Sequence, residues 1–417
     1  MRKNIFPIII LVFIVVAFWA GSSYYDSARR VDPNPTEVGT QTAPSTDTSP
    51  GTSTMTPAPT SNTTGLSLKL PDGFGISIYA RNLDAPRVLQ VDPNGRLLVS
   101  VPNAGTIVRL IDANNDGVAE RTETLLSRLT KPHGFWVDKR AGSCANEQCR
   151  LFVAEEDKVS VYVFDSQGNT VQLKKKLADL PRGGNHVTRS LYYEPSTDLL
   201  LVAIGSSCNV CNEEDNRRAA IIAMNSNGDN QRMYATGLRN TVFMTKGPDG
   251  KVYGTDMGRD HLGDNLPPEE VNIIEEGKNY GWPICYGNNI HDTNFDKNTY
   301  VQNPCNDKVA PIAEMQAHSA PLGLVFIPGS GWPSAYRGDL IVAFHGSWNR
   351  TVPTGYKLVR VRLDNQGKYE GIEDFITGWH DGKTTHGRPV DVLITSDNNM
   401  YVTDDKTGYV YRIAPPR

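Results

Sequence analysis

Asp92-Pro-Asn-Gly95 stands directly before Arg96-Leu-Leu-Val-Ser100, and this unit, a polar turn followed by a β-rich run, returns along the chain. Pro248-Asp-Gly250 precedes Lys251-Val-Tyr-Gly-Thr255, and Asp397-Asn-Asn399 precedes Met400-Tyr-Val-Thr403. Looser copies lie at Arg150-Leu-Phe-Val-Ala154, Asp198-Leu-Leu-Leu-Val202 and Asp339-Leu-Ile-Val-Ala343. Asp, Asn and Gly accept the backbone of tight turns, and aliphatic or aromatic residues fit a pleated strand. Six copies at a blade-sized interval, with little helical periodicity between them, predict an all-β, six-bladed β-propeller over residues 66–417. A pair of β-sandwiches is the alternative.

The sequence ahead of the propeller has a different character. Arg2 and Lys3 precede an almost wholly apolar run, Ile5 to Ala20, so residues 1–22 read as a signal peptide or a membrane anchor. Either sends the rest of the chain out of the cytoplasm, as a periplasmic, secreted or membrane-tethered protein. Residues 23–65, rich in Thr, Ser and Pro beyond residue 30, read as a flexible linker, because they hold too little apolar surface to offset ordering entropy. Asn62-Thr-Thr64 and Asn349-Arg-Thr351 match the N-glycosylation pattern. A net charge of −4 lacks the basic surplus that nucleic-acid binding needs.

The six cysteines fall into three sequence-local pairs: Cys144 with Cys149, Cys208 with Cys211, and Cys285 with Cys305. That pattern fits short-loop disulfides in an oxidising compartment. Cys208-Asn-Val-Cys211 taken alone also fits half a zinc site or a redox motif. Asp112, Asn114, Asp116, the Val118 carbonyl and Glu123 fall at calcium-loop positions, with Gly117 at the sharp turn and Glu120 between. A structural Ca²⁺ is expected there. A plain polar hairpin is the other reading.

Further segments carry a likeness. They are Gly183-Gly-Asn-His-Val-Thr-Arg-Ser-Leu191, Thr236-Gly-Leu-Arg-Asn240, Asp256-Met-Gly-Arg259, Pro268-Glu-Glu-Val-Asn-Ile-Ile274, Gly277-Lys-Asn-Tyr-Gly-Trp-Pro283 and Gly387-Arg-Pro-Val-Asp-Val392. In this order the chain resembles the soluble glucose, aldose and sorbosone dehydrogenases that depend on pyrroloquinoline quinone (PQQ).

The resemblance implies a hydride transfer to PQQ from a sugar, with His186 as general base. Neutral imidazole suits that role. Glucose enzymes of the family carry Asp where this chain has Asn185, so the residue beside the base offers a sugar hydrogen bonds but no charge. PQQ has three carboxylates, for which arginine forks are suited. The resemblance points to Arg239, Asn240 and Arg388 as cofactor contacts. The family's next arginine is replaced by Val390, and Arg350 or Lys357 is expected to supply the missing cation. Backbone carbonyls of Gly258 and Arg259 match the family's Ca²⁺ position, with the acidic pair Glu269 and Glu270 nearby.

His133, His318, His345 and His386 lie in loops of similar placement and, with Trp348, are candidates for substrate or cofactor contact. His133 is assigned to the cofactor, and Asn185, Arg189, His318 and Trp348 to the sugar. The electrons would leave to an external cytochrome or quinone. A calcium-dependent propeller lactonase, or a non-catalytic surface propeller, are the competing readings.

Overall fold

The computed structural model describes residues 59–139, 144–298, 303–364 and 366–416. The expected leader and most of the expected linker lie outside the described residues. Among those described, no helix is long and apolar enough to cross a membrane. Among the described residues, helical structure is limited to two 3₁₀ turns, Ala145–Glu147 and Ser334–Tyr336.

Six blades of four antiparallel strands make the propeller, as the turn-and-run repeat predicted, and the third carries a short fifth strand, Lys278–Asn279, paired parallel at its outer edge. Their innermost strands are Leu89–Val91, Phe135–Lys139, Arg189–Glu194, Thr241–Lys246, Pro321–Phe326 and Pro389–Ile394. Residues from all six line one axial channel of about 200 Å³, among them Leu89, Phe135, Ser190, Phe243, Leu324 and Asp391. The sixth blade takes its outermost strand, Gly75–Ala80, from the start of the domain, where it pairs antiparallel with Tyr409–Ala414. That exchange closes the ring and removes the open sheet edge that invites aggregation.

The six repeated runs are the second strands: Leu97–Val101, Cys149–Ala154, Leu199–Ile204, Val252–Asp256, Leu340–Phe344 and Met400–Asp404. A second strand lies between two others and between two blades, so both of its faces are covered. Leu97–Val101, Leu340–Phe344 and Met400–Asp404 are buried at every position. This explains why they read as unbroken apolar runs rather than alternating ones. Outermost strands such as Arg121–Leu126 face water and carry charge. The turn ahead of the first run is held by Asp92, whose Oδ1 accepts the Asn94 and Arg96 amides at 2.8 and 3.0 Å, with Gly95 at φ 86°. Only a residue without a Cβ adopts that backbone freely.

Folded structure begins ahead of Leu66. Thr63 N donates to Ile76 O and Ile76 N to Ser61 O, so residues 61–63 lie along the first strand. Asn62 Nδ2 donates to the carbonyls of Leu66 and Leu68, and Asn349 Nδ2 to Asp260 Oδ1. Both amide nitrogens of the glycosylation patterns are therefore spent on internal bonds. The three disulfides form as paired by the sequence: Cys144–Cys149, Cys208–Cys211 and Cys285–Cys305. They rule out a zinc half-site at Cys208 and Cys211.

Candidate active site at the propeller mouth

In an antiparallel blade the first strand starts on the same face of the ring where the second strand ends. Residues just ahead of the six inner strands therefore gather at one mouth. Here they are Arg87, His133, His186, Arg239 with Asn240, His318 and Arg388, each from a different blade. The second-strand ends return Ser206, Asp256 to Gly258, His345 and Asp405 to the same face.

His186 is oriented by Ser206. Its Nδ1 lies 2.9 Å from both Ser206 O and Ser206 Oγ. The carbonyl can only accept, and the hydroxyl proton is already donated to Cys208 O at 2.7 Å. Nδ1 therefore carries the imidazole hydrogen, and Nε2 is left as the bare acceptor. Burial, then the Arg239 charge, lowers the His186 pKa to about 4, so the ring is neutral at pH 7. Asn185 is exposed beside it, with its amide bonded to Ser207 O.

Arg239 is buried, and its fork is held on three sides. Nε donates to Asn209 O (2.8 Å), Nη2 to Asn209 Oδ1 (3.0 Å) and Nη1 to Gly258 O (2.8 Å). Desolvation lowers its pKa, with Asp260 and Asp256 opposing. The Asp256 carboxylate fixes the backbone here, accepting the Arg239 and Asn240 amides and the Thr241 hydroxyl. Asn240 Oδ1 is buried without a partner.

Across the mouth, Arg388 Nη1 donates to His345 Nδ1 (3.2 Å), and His345 Nε2 donates to Asp405 (2.9 Å). Arg87 Nη1 meets the same carboxylate at 2.8 Å. Burial keeps His345 neutral at pH 7. Burial also works against charge on Asp405, but its partners win and hold it at about 2. With His345 neutral, Arg87 is the countercharge.

The expected metal carbonyls sit among buried acids. Glu269 accepts the Gly258 and Ala320 amides, and Glu270 those of Gly287 and the Asn272 side chain. Burial raises Glu269 and Asp256 to about 7 and Glu270 to about 8. The acidic pair thus lies on a strand, Glu269–Ile274, not in a solvated turn. The Arg259 side chain points away from the mouth into an ion pair with buried Asp292 at 2.6 Å.

Several expectations are corrected. Arg189 is fully buried, and its guanidinium donates to the carbonyls of Pro181, His186 and Thr188. It braces the loop that presents His186 and cannot reach a sugar. Arg218 does the same from the Arg182 and Gly183 carbonyls. Lys357 pairs with Asp374 on the neighbouring outer strand. Arg350 is tied to Asn265 on the rim. Val390 is core, and the third guanidinium at the mouth is that of Arg87, which the sequence did not mark.

His386 is exposed and paired with Asp381 away from the mouth, and His318 anchors a rim loop through Gly263 O. His133 is buried with Nε2 unpartnered, edge-on to Phe243. Trp348 stands on the rim, 70% exposed, edge-on to His261.

In the calcium-type loop, one ligand atom each of Asp112, Asp116 and Glu120 fall within 4.8 Å of one another. Glu123 does not join them. Strand register sets it opposite Arg109, and it pairs with Arg121 and Arg109 instead. Asn114 Oδ1 and Asp112 Oδ1 both accept the Asp116 amide, and Asp116 Oδ1 accepts that of Val118.

Three guanidinium groups at one mouth fit a planar polyanion. Gly258 O, at the expected metal position, accepts Arg239 Nη1 at 2.8 Å, so a hard cation there would need this guanidinium to move.

Residues 68–415 match the profile of the TrAA12-like family. An uncharacterised protein of Borreliella burgdorferi is 31% identical over 83% of this chain and 90% of its own length. The pyrroloquinoline quinone-dependent pyranose dehydrogenase of Coprinopsis cinerea is 24% identical over 83% of this chain, which spans about half that enzyme, 54%. Its holo PQQ domain superposes with TM-score 0.70 at 22% identity, covering 86% of this chain and 98% of that one. The calcium structure of the Trichoderma reesei family AA12 enzyme gives 0.71 at 22% identity, covering 85% and 99%. At that identity the superpositions show the shared propeller.

Proposed function

The chain belongs to the TrAA12-like family, and from that premise we propose that it is a PQQ-dependent sugar dehydrogenase that oxidises an aldose or related pyranose. The observation that carries the reading is His186, neutral at pH 7 and locked by Ser206 with Nε2 free, facing a mouth ringed by Arg239, Arg388 and Arg87.

In this reading His186 Nε2 takes the proton of the sugar hydroxyl whose carbon is oxidised. When bound, PQQ supplies the acceptor for the hydride from that carbon. Arg239, Arg388 and Arg87 bind and orient its carboxylates, with Asn240 and His133 completing the contacts. The Gly258 and Arg259 carbonyls would hold a Ca²⁺, which would supply Lewis acidity. Asn185 and Trp348 meet the sugar at the rim, and the electrons pass to an external cytochrome or quinone. A second Ca²⁺ in the loop of Asp112, Asp116 and Glu120 is structural. The propeller works outside the cytoplasm, where its disulfides persist, on a tether or after release by residues 1–22.

A calcium-dependent lactonase would need a converging set of carboxylates on the axis. Among the described residues, the group of three ligating side chains found beside the mouth is Cys208, Cys211 and Glu213, and its two cysteines are joined in a disulfide. The test is dye reduction by sugar after the apo-protein is given PQQ and Ca²⁺. Wild type should turn over, and His186→Ala should bind PQQ and lose turnover by at least about 100-fold. Equal turnover by His186→Ala would remove the base assignment. Sugar-independent lactone hydrolysis without PQQ would replace the whole reading.

A further inference from the structure

The short disulfide Cys208–Cys211 touches both halves of the site. The loop-closure benefit of a disulfide grows with the span it encloses. A separation of three residues therefore gives less stabilisation than Cys285–Cys305 with its twenty. What the small ring encloses is more informative.

Ser206 precedes it and meets His186 Nδ1 through two oxygens, while the Ser206 hydroxyl proton is directed to Cys208 O at 2.7 Å. Asn209, between the two cysteines, accepts Arg239 Nε and Nη2 with its carbonyl and side-chain oxygens. The same Oδ1 accepts the Asp260 amide at 2.8 Å, and Nδ2 returns to Asp260 O at 3.1 Å. On the far side, Glu213 accepts both the amide and the hydroxyl of Ser207.

Resting on the reading above, we propose that the Cys208–Cys211 ring is a positioning element of the active site, which holds Asn209 so that Arg239 is aimed for the quinone cofactor. An arginine with four rotatable bonds otherwise loses much of its pairing energy to entropy. Asn209 removes that freedom by taking two donors of the fork, and with Nη1 on the Gly258 carbonyl it fixes the plane in which the guanidinium presents its charge at the mouth. Asn209 acts through Arg239 and does not itself touch the cofactor.

The test is equilibrium titration of apo-protein with PQQ in Ca²⁺ buffer, followed by quinone absorbance. It is run on wild type, Cys208→Ser/Cys211→Ser, Asn209→Ala, Arg239→Ala and Asn209→Ala/Arg239→Ala. Cys144→Ser/Cys149→Ser, remote from the mouth, is the control. Loss of charge-assisted hydrogen bonds should weaken PQQ by about 10-fold or more in the Cys208/Cys211 pair and in Asn209→Ala. The control should bind as wild type does. In the Arg239→Ala background, Asn209→Ala should cost nothing further, a coupling that general loosening of the loop would not produce.

If the cysteine pair fails to fold, Asn209→Ala and its double variant decide alone. Unchanged PQQ affinity in Asn209→Ala, or a penalty that persists without Arg239, overturns the proposal. Failure of wild type itself to bind PQQ overturns the functional reading and this inference with it.

Discussion

Gly205 separates His186 from the Asn240 side chain, and replacing it with alanine tests the mouth geometry directly. A Cβ at position 205 would stand 2.4 Å from Asn240 Oδ1 and 2.6 Å from His186 Cβ. Carbon-centred contacts relax near 3.5 Å, so something must yield by about 1 Å. Asn240 is held through its amide by Asp256, and Ser206 N is bonded to Arg239 O. The Asn240 side chain can turn aside, but His186 Cβ at 2.6 Å clears the new carbon only if its backbone shifts, so the imidazole moves.

A displacement of about 1 Å at a reacting group costs about 100-fold in rate. Local overpacking costs about 1–3 kcal/mol of stability. The assay is kcat for sugar-dependent dye reduction at saturating PQQ and Ca²⁺, alongside urea unfolding. Gly95→Ala is the comparison: it has φ 86° but nothing within 4 Å of the added carbon, and it lies on a hairpin outside the mouth. It should lose about 1 kcal/mol and keep its kcat. A Gly205→Ala protein with wild-type kcat would show that His186 and Asn240 are not packed as described, and the reasoning would fail.

The pH profile should carry the mark of a buried base. With His186 at about 4, the neutral imidazole persists into mildly acidic solution. The kcat/KM curve should then stay flat down to about pH 5 and fall tenfold per unit only below about 4; a limb near 6.5 would mean an unperturbed histidine. Buried Asp391, raised to about 7 by desolvation, holds its proton in the folded state after the unfolded chain has released it. Its contribution is present below pH 3.8 and lost as pH rises through 7, by at most about 4 kcal/mol, so urea unfolding of Asp391→Asn should show a shallower decline over that window. Removing calcium with a chelator should lower the melting temperature of wild type more than that of Glu120→Gln, while Glu123→Gln should respond as wild type does.

The fold was legible because second strands, covered on both faces, cannot hide their apolar runs. The places of His186 and Arg239 at the mouth were legible because both sit within contiguous motifs. Arg87 was not. It follows Ala85-Pro86 with no motif around it, and only closure of the ring brings it against Asp405, 318 residues away. Arg189 misled for the opposite reason. Its place three residues after His186 suggested the mouth, but as the first residue of an inner strand it turns beneath the loop. Glu123 satisfied the spacing of a calcium loop, yet a strand starts at Arg121 and its register delivers the carboxylate to Arg109. Spacing alone does not tell a helical flank from a strand, and the last ligand of the loop depends on that difference.

Diffraction from crystals soaked with PQQ and Ca²⁺ tests the central claim most directly. The account predicts one quinone at the mouth, its carboxylates against Arg239 and at least one of Arg388 and Arg87, with His186 Nε2 facing the open side of the ring. An undisturbed mouth, or a quinone bound only at the outer blade edges, would contradict it.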